Sequence, residues 1–388
     1  MFLNPNYQNA LNHLNKFIDN GLQNYARNRN FDHGAHKRSN VSLLSPFIKK
    51  RILHEKEVIL SALKNYKYTK IEKFIQEVFW RTYWKGWLEG RPLVWKLYKE
   101  NLSELKNNLS KSNYFKDYNK AISGKTGIEC FDSWVTELIK YGYLHNHARM
   151  WFASIWIFTL NLPWELGADF FYKNLLDGDP ASNTLSWRWV AGLHTAGKIY
   201  LARQDNIEKY SNFSFNNKQV LNHKISCTNH NSFEYSQPNF KKSNWEKVNL
   251  FLVSPNNYLY DNRKIKYLKN STIIFLKDWN YSEDSELKKS FNKKAMEEYI
   301  KWLNDNGVTK INILQESEFN DFFKNKNLEI LTIYPSIGYE QDLLNMISRK
   351  FGVTFNFLYD EYDMVCWPYA KAGFFKFKVK IEHILENI

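Results

Sequence analysis

The 388-residue sequence has only three cysteines, Cys130, Cys227 and Cys366, widely spaced and odd in number. That scarcity excludes a disulfide framework and a CxxC metal site, and a reducing cytoplasmic setting is the expectation. The N-terminal stretch MFLNPNYQNALNHLNKF has no basic segment followed by an apolar core. No later segment approaches about eighteen uninterrupted apolar residues, so neither a secretory leader nor a membrane span is expected. The chain reads as soluble and intracellular. Glycine-rich phosphate loops are missing as well: no GxGxxG or GxxxxGKS/T pattern follows any strand-like run.

Positive charge and aromatic rings are what the sequence has in excess. Lys and Arg number 54 against 40 Asp and Glu, for a net charge of +14. Such a balance favours a polyanion such as nucleic acid, or an anionic membrane surface. A lysine- and asparagine-rich surface without a partner is the plainer alternative. Aromatics make up 17% of the chain and include 14 tryptophans, more than a core of this size requires. Stacking surfaces or an aromatic cofactor pocket would use the surplus.

Length predicts two domains, and the hydrophobic pattern divides them. Residues 1–212 have helical spacing: FIQEVFWRTYWKGWL repeats large residues at three and four, and RMWFASIWIFTL reads as an almost continuously buried helix. Residues 213–245 are rich in Asn, Ser and Lys with little periodicity, as in a linker. Residues 246–388 hold short apolar runs, VNLFLVS, STIIFLKD, KINILQE and LEILTIYP, with the amphipathic KKAMEEYIKWLNDNG between the second and third, ending at Gly307. Strands alternating with helices predict a parallel sheet with right-handed crossovers. An all-helical domain followed by a smaller α/β one is the expected fold class.

The stretch LLDGDPASNTLSWRW concentrates the chemistry. Asp177 and Asp179 have no His, Cys or further carboxylate at metal-ligand spacing, and adjacent loop positions rarely set two carboxylates across a sugar bond. A cofactor with amide, hydroxyl and cationic edges suits Asp177, Asp179 and Asn183 better. The ordinary alternative is an Asp that caps a helix beginning near Ala181. Upstream, YGYLHNHARM sets Asn146, Arg149 and Met150 on one helical face, with His145 and His147 read as structural. Glu77 lies on the aromatic helix with Arg81 four residues later, ordinarily an ion pair.

Together KTGIECFDSWVTEL, YGYLHNHARM and LLDGDPASNTLSWRWVAG resemble the flavin-binding helical domain of the cryptochrome and DNA photolyase family. The resemblance runs from about Tyr25 to Tyr210 and is ungapped between Thr126 and Trp189, including the separation of Trp164 from Trp187. It implies FAD as cofactor. NVSLLSP resembles the segment that holds the flavin diphosphate, implicating Ser42, Leu43, Leu44 and Ser45, although Val41 stands where the family usually has a Thr hydroxyl. Tyr25, Arg29 and Arg81 are assigned to the cofactor site by the same resemblance. Arg149 and Asp177 resemble the ion pair beside the isoalloxazine, Asp179 its ribityl or ring-edge partner, and Asn183 the Asn facing flavin N5.

The resemblance also implies a reaction: light-driven electron transfer from reduced FAD that splits a cyclobutane pyrimidine dimer in UV-damaged DNA, single- or double-stranded. Glu77 resembles the acid that hydrogen-bonds the thymine carbonyls, with Asn146 and Met150 as companions. His147 stands where a DNA-contacting Arg is common, and Phe74 where a Trp packs on the dimer. Trp187 and Trp164 resemble the inner members of a photoreducing tryptophan chain. Its exposed end is expected near Lys111, where Tyr114, Phe115 or the more distant Trp95 would have to substitute. A cryptochrome-like photoreceptor without repair activity and repair of (6-4) photoproducts are the alternatives. Residues 246–388 resemble the family's Rossmann-like α/β domain, normally N-terminal, through LFLVSPNNYLYDN, STIIFLKDWN and CWPYAKAGFFKFKVKI, implying a circular permutation. The antenna pigment is unknown, no metal is implied, and a monomer is expected.

Overall fold

Helical spacing and helical structure coincide through the first half of the chain. The computed structural model describes all residues except 1–3, 196–197, 213, 216–220, 222–231, 241–243, 246–248, 278–282 and 325–327, so Cys227 lies outside it. Helix α1 (Glu55–Asn65) is capped by His54, whose ring accepts the Lys56 N–H, and places Glu55 and Glu57 in its first turn, at the positive end of the dipole. Helix α2 (Tyr68–Glu89) buries Ile71, Phe74, Ile75, Val78 and Phe79 at three- and four-residue steps. Helix α3 (Pro92–Asn108) starts on a proline, whose missing N–H would have had no partner there. Helix α4 (Glu129–Tyr141) stops at Gly142, which takes φ +64, a left-handed cap that a β-carbon would strain. Helices α5 (Asn146–Ser154), α6 (Trp164–Asn174) and α7 (Pro180–Val190) follow.

RMWFASIWIFTL is not one uninterrupted α-helix. After Ser154 the chain widens into a π turn, Ile155–Thr159, closed by the Leu160 N–H on the Ile155 carbonyl at 2.9 Å. Trp156, buried in that turn, donates its indole N–H to the Pro163 carbonyl at 2.9 Å and so leads the chain into α6.

The four apolar runs of the second half form strands β1 (Leu250–Leu252), β2 (Thr272–Leu276), β3 (Ile311–Leu314) and β4 (Glu329–Ile333). A fifth, β5 (Thr354–Leu358), joins them; its alternation of exposed and covered positions around a central Asn gave no apolar run to read. All pairings are parallel and the order is β3-β2-β1-β4-β5, a doubly wound sheet. Helix α8 (Glu286–Asp305) connects β2 to β3, and α9 (Tyr339–Phe351) connects β4 to β5. Leu252, Ile274, Leu314, Ile330, Leu344 and Ile347 belong to the sheet's core. Beyond the ends of β1 and β4, where open parallel sheets bind ligands, Ser254 donates its hydroxyl to Glu340. Lys50 donates to the Pro255 carbonyl at 3.1 Å, and burial lowers its amine to about 8.

Contacts divide the chain into two compact units that do not follow chain order: residues 17–42 with 91–234, and residues 2–16 with 43–90 and 235–388. Here they are the first and second unit. In the second, a buried ionic cluster joins the segment carrying α1 and α2 to the C-terminal region. Arg51 forks onto Asp363 at 2.6 and 2.7 Å and lies 3.3 Å from Glu55 and 3.6 Å from Asp360. His54 meets Asp360 at 3.2 Å. Burial alone would raise the Glu55 carboxyl, but Arg51, Lys85, His54 and Arg81 hold it down at about 2. Described parts of 213–245 also pack: Phe233 lies under the Arg188 guanidinium in the first unit, and Phe240 against Trp367 in the second. Among the described residues no helix is long and apolar enough to cross a membrane.

Candidate functional site

In the first unit the site is built where the α4–α5 turn meets the loop before α7. The Leu176 N–H donates to the Gly142 carbonyl at 2.9 Å, tying the two segments together. Arg149, one face of α5, then reaches Asp177 with Nη2 on Oδ2 at 2.8 Å, the pairing expected from sequence, while its Nε donates to the Leu144 carbonyl. Two hydrogen bonds fix the guanidinium's plane. Asn146 and Met150 stand on the same helix, exposed and half-buried respectively.

A residue outside the sequence assignments, Tyr143, packs under Arg149 and shares its ring with Arg38. Both Arg149 and Arg38 lie over the Tyr143 ring, at 5.1 and 5.3 Å from its centroid. Arg38 is itself tied to Asp32 and Glu137 at 2.8 and 2.6 Å. Tyr143 lies inside YGYLHNHARM but ahead of the helix cap, where helical spacing gives no signal, and Arg38 lies far away in sequence. His145 caps α5: its Nδ1 accepts the His147 N–H and its Nε2 donates to the Arg29 carbonyl at 3.0 Å. Burial drives its pKa down to about 4, consistent with that neutral tautomer. The structural reading of this histidine holds, with Arg29 positioned through it. His147 donates to the Asn30 carbonyl at 2.8 Å and packs on Trp151 and Tyr210.

Asp179 is the N-cap of α7: its Oδ1 accepts the Ser182 N–H at 2.8 Å, and Pro180 takes the first helical position. The ordinary capping reading is therefore present in the structure. Asn183, one turn on, donates its amide N–H to the Ala168 carbonyl at 2.7 Å, so its Oδ1 is the end that remains to accept. On either side of it Ser182 Oγ and Thr184 Oγ1 are buried without a hydrogen-bond partner.

Trp187 is buried edge-on against Phe171 at 5.1 Å. Gly167 makes room for it, since a β-carbon there would come within 2.3 Å of the indole. Trp164 packs on Tyr98 at 5.5 Å, and Tyr98 on Trp95 at 5.4 Å. Of the three substitutes for the end of the tryptophan chain, Trp95 is thus the one joined ring to ring with Trp164; Phe115 is exposed and Trp95 is buried. Trp189 packs on Tyr200 at 5.6 Å. Tyr25 stands edge-on to Phe17, and Tyr25, Arg29 and Ser42 are all half-buried.

In the second unit Glu77 is half-buried on α2 and Phe74 is 3% exposed. Arg81 reaches Glu55 at 3.7 Å, a partner outside its own helix. Leu43 takes φ +54, a left-handed conformation rare for a side chain of this size, and Leu44 follows right-handed at φ −86, ψ −13. Alternating hands turn successive backbone N–H groups toward one side, the geometry of an anion nest. Ser45 begins the short helix Ser45–Lys49.

A guanidinium–carboxylate pair, a fixed amide carbonyl and a buried indole on helices, in a chain that also carries a doubly wound sheet, suit a cofactor with polar ring edges. Comparison with known families gives the particular one. Residues 74–219 match the model of the FAD binding domain of DNA photolyase, and FAD is the cofactor of that match. It is similar to the deoxyribodipyrimidine photo-lyase of Buchnera aphidicola subsp. Baizongia pistaciae, 27% identical over 223 residues, covering 55% of this chain and 45% of that one. The photo-lyase of Agrobacterium fabrum is 30% identical over 191 residues, covering 48% and 38%. Cryptochrome-1 of Arabidopsis thaliana is 36% identical over 80 residues, covering 21% and 11%. The chain thus spans less than half the length of these relatives.

The residues present fit FAD. Arg149 with Asp177 offers the donor and acceptor that a ring edge with carbonyl and N–H groups requires, and Asn183 Oδ1 offers an acceptor for a ring N–H. The unpartnered hydroxyl of Ser182, beside Asn183, suits a polyhydroxyl chain.

Proposed function

We propose that the protein is a light-dependent DNA repair enzyme that splits cyclobutane pyrimidine dimers, a deoxyribodipyrimidine photo-lyase. One observation carries this reading: the Asn183 amide is anchored through its N–H group on Ala168, so it presents an oxygen acceptor, which matches a reduced flavin bearing N5–H. Reduced FAD, when bound, supplies the light-excited electron that opens the cyclobutane bonds and then takes it back.

In this reading the protein's own residues bind, orient and conduct. Arg149 and Asp177 hold the ring edge; Asp179 contributes beside its capping duty. Ser42, Leu43, Leu44 and Ser45 hold the diphosphate, while Tyr25, Arg29 and Arg81 border the cofactor. Glu77 hydrogen-bonds the thymine carbonyls, and Asn146 and Met150 are its companions in recognising a dimer taken out of the stack, which costs least for a damaged base. Trp187 and Trp164 deliver the reducing electron, with Tyr98 and Trp95 as the continuation supported by their ring contacts. The net charge of +14 serves the phosphates. The doubly wound sheet, C-terminal to the FAD-binding stretch, is the family's α/β domain in permuted order.

A second reading, a cryptochrome-like photoreceptor without repair activity, is favoured by Phe74, which at 3% exposure offers no ring face to a dimer. Illumination of the reduced, FAD-loaded protein with dimer-containing single- and double-stranded oligonucleotides separates the two. Light-dependent loss of dimers is expected, with a reduced yield and unchanged FAD content for Glu77→Ala. Unchanged dimers with FAD bound would leave the photoreceptor.

A further inference from the structure

Helix α10 (Phe374–Lys378) is anchored on one side and bare on the other. Phe374 stacks on Trp80 of α2 at 3.7 Å with 12° between the ring planes, and Phe377 packs on Phe79 and Tyr83 at 5.9 and 5.7 Å. Lys378 adds an ion pair to Glu72 at 3.0 Å. These contacts fix the helix's rotation, so the opposite side chains cannot turn inward. Phe375 is 81% exposed and Val379, one turn further, 75% exposed. Lys371, Lys376 and Lys380 are exposed around them.

A protruding aromatic and a β-branched neighbour, held rigidly in water and ringed by cations, mark a binding surface rather than scattered apolar exposure. We propose that Phe375, Val379, Lys376 and Lys380 form an accessory contact for DNA on the second unit, gripping the strand beside the lesion. The proposal rests on the reading of DNA as substrate. Lysines interleaved with a flat ring are what a polyanion with stacked bases requires: the ammonium groups meet phosphates and the ring meets a base or sugar face. Location favours the same partner. Phe374 sits on Trp80, three residues from Glu77 on α2, and α2 adds the exposed Lys70 and Lys73. The helix that carries the patch is therefore anchored on the helix that carries the proposed dimer contact. An anionic membrane fits less well, since two apolar side chains bury little area in lipid.

The test is fluorescence anisotropy of the full chain with a labelled duplex carrying a dimer, titrated across salt concentration. Phe375→Ser with Val379→Ser should weaken binding about tenfold, the loss of one stacked base. Lys376→Gln with Lys380→Gln should lower the slope of log affinity against log salt by about 2, two phosphate contacts. FAD content and circular dichroism should match the parent, since all four side chains are exposed. If the parent binds no DNA, the substrate reading itself fails. If the parent binds and both double variants match it in affinity and slope, this proposal alone fails. It is likewise overturned if the variants lose binding to anionic vesicles, or self-association, while DNA binding stays intact.

Discussion

Each unit holds an arginine–aspartate pair, and the two pairs do different work. Arg149 and Asp177 in the first unit are 28 residues apart, and the Arg149 side chain is 24% exposed. Arg51 and Asp363 in the second are 312 residues apart, and the Arg51 side chain is 5% exposed with Glu55 and Asp360 beside it. A guanidinium open on one side leaves donors for a ligand edge. A pair sealed among further carboxylates faces only the fold. Ion pairing alone therefore does not mark a site; what remains unsealed around it does.

The largest expected effect tests the sealed pair. Arg51→Met leaves the buried Asp363 and Glu55, and the half-buried Asp360, without their shared cation and should cost about 4 kcal/mol, the usual toll for breaking a buried pair from one side. Chemical denaturation reads it. A variant as stable as the parent would remove the cluster as the reason residues 43–90 join the C-terminal part.

Opposite pH responses come next. Burial holds the first unit's His145 at about 4 against an ordinary 6.5, so its stability contribution is complete above pH 6.5 and is lost as pH falls toward 4. Burial raises the second unit's Glu89 to about 7 against an ordinary 4.5, where it accepts from the Ile337 N–H and the Tyr334 hydroxyl. That carboxyl's contribution is complete below pH 4.5 and is lost as pH rises toward 7. Each shift is worth on the order of 3 kcal/mol. Between pH 6.5 and 4.5, acidification should loosen α5 and tighten the backbone around Ile337. Amide hydrogen exchange, corrected for intrinsic rates, follows both segments in one sample, and parallel changes would break the contrast.

The same contrast explains what could be read in the sequence. Asn146, Arg149, Met150, Asp177, Asp179 and Asn183 lie within 40 residues on two helices and a capped loop, inside the contiguous motifs that resemble the flavin-binding family, and that resemblance brought them into view before any coordinates. The Arg149–Asp177 pair could be named because both partners sit in contiguous motifs. Arg51 and Asp363 could not, because no local pattern links positions separated by 312 residues. Residues 43–90 look helical and join the α/β unit through that remote pairing, while composition marks only linear boundaries. Tyr143 and Arg38 escaped notice because a ring between two guanidiniums has no sequence period. β5 escaped because an edge strand with a polar centre lacks an apolar run.

FAD content per chain is the most direct measurement of whether the open pair serves a ligand. Asp177→Asn keeps the size and removes the charge that orients Arg149. Released-FAD fluorescence from purified protein should fall at least several-fold for this variant, with the circular dichroism of the parent retained. Equal FAD content in parent and variant would contradict the assignment of Arg149 and Asp177 as the grip on the flavin.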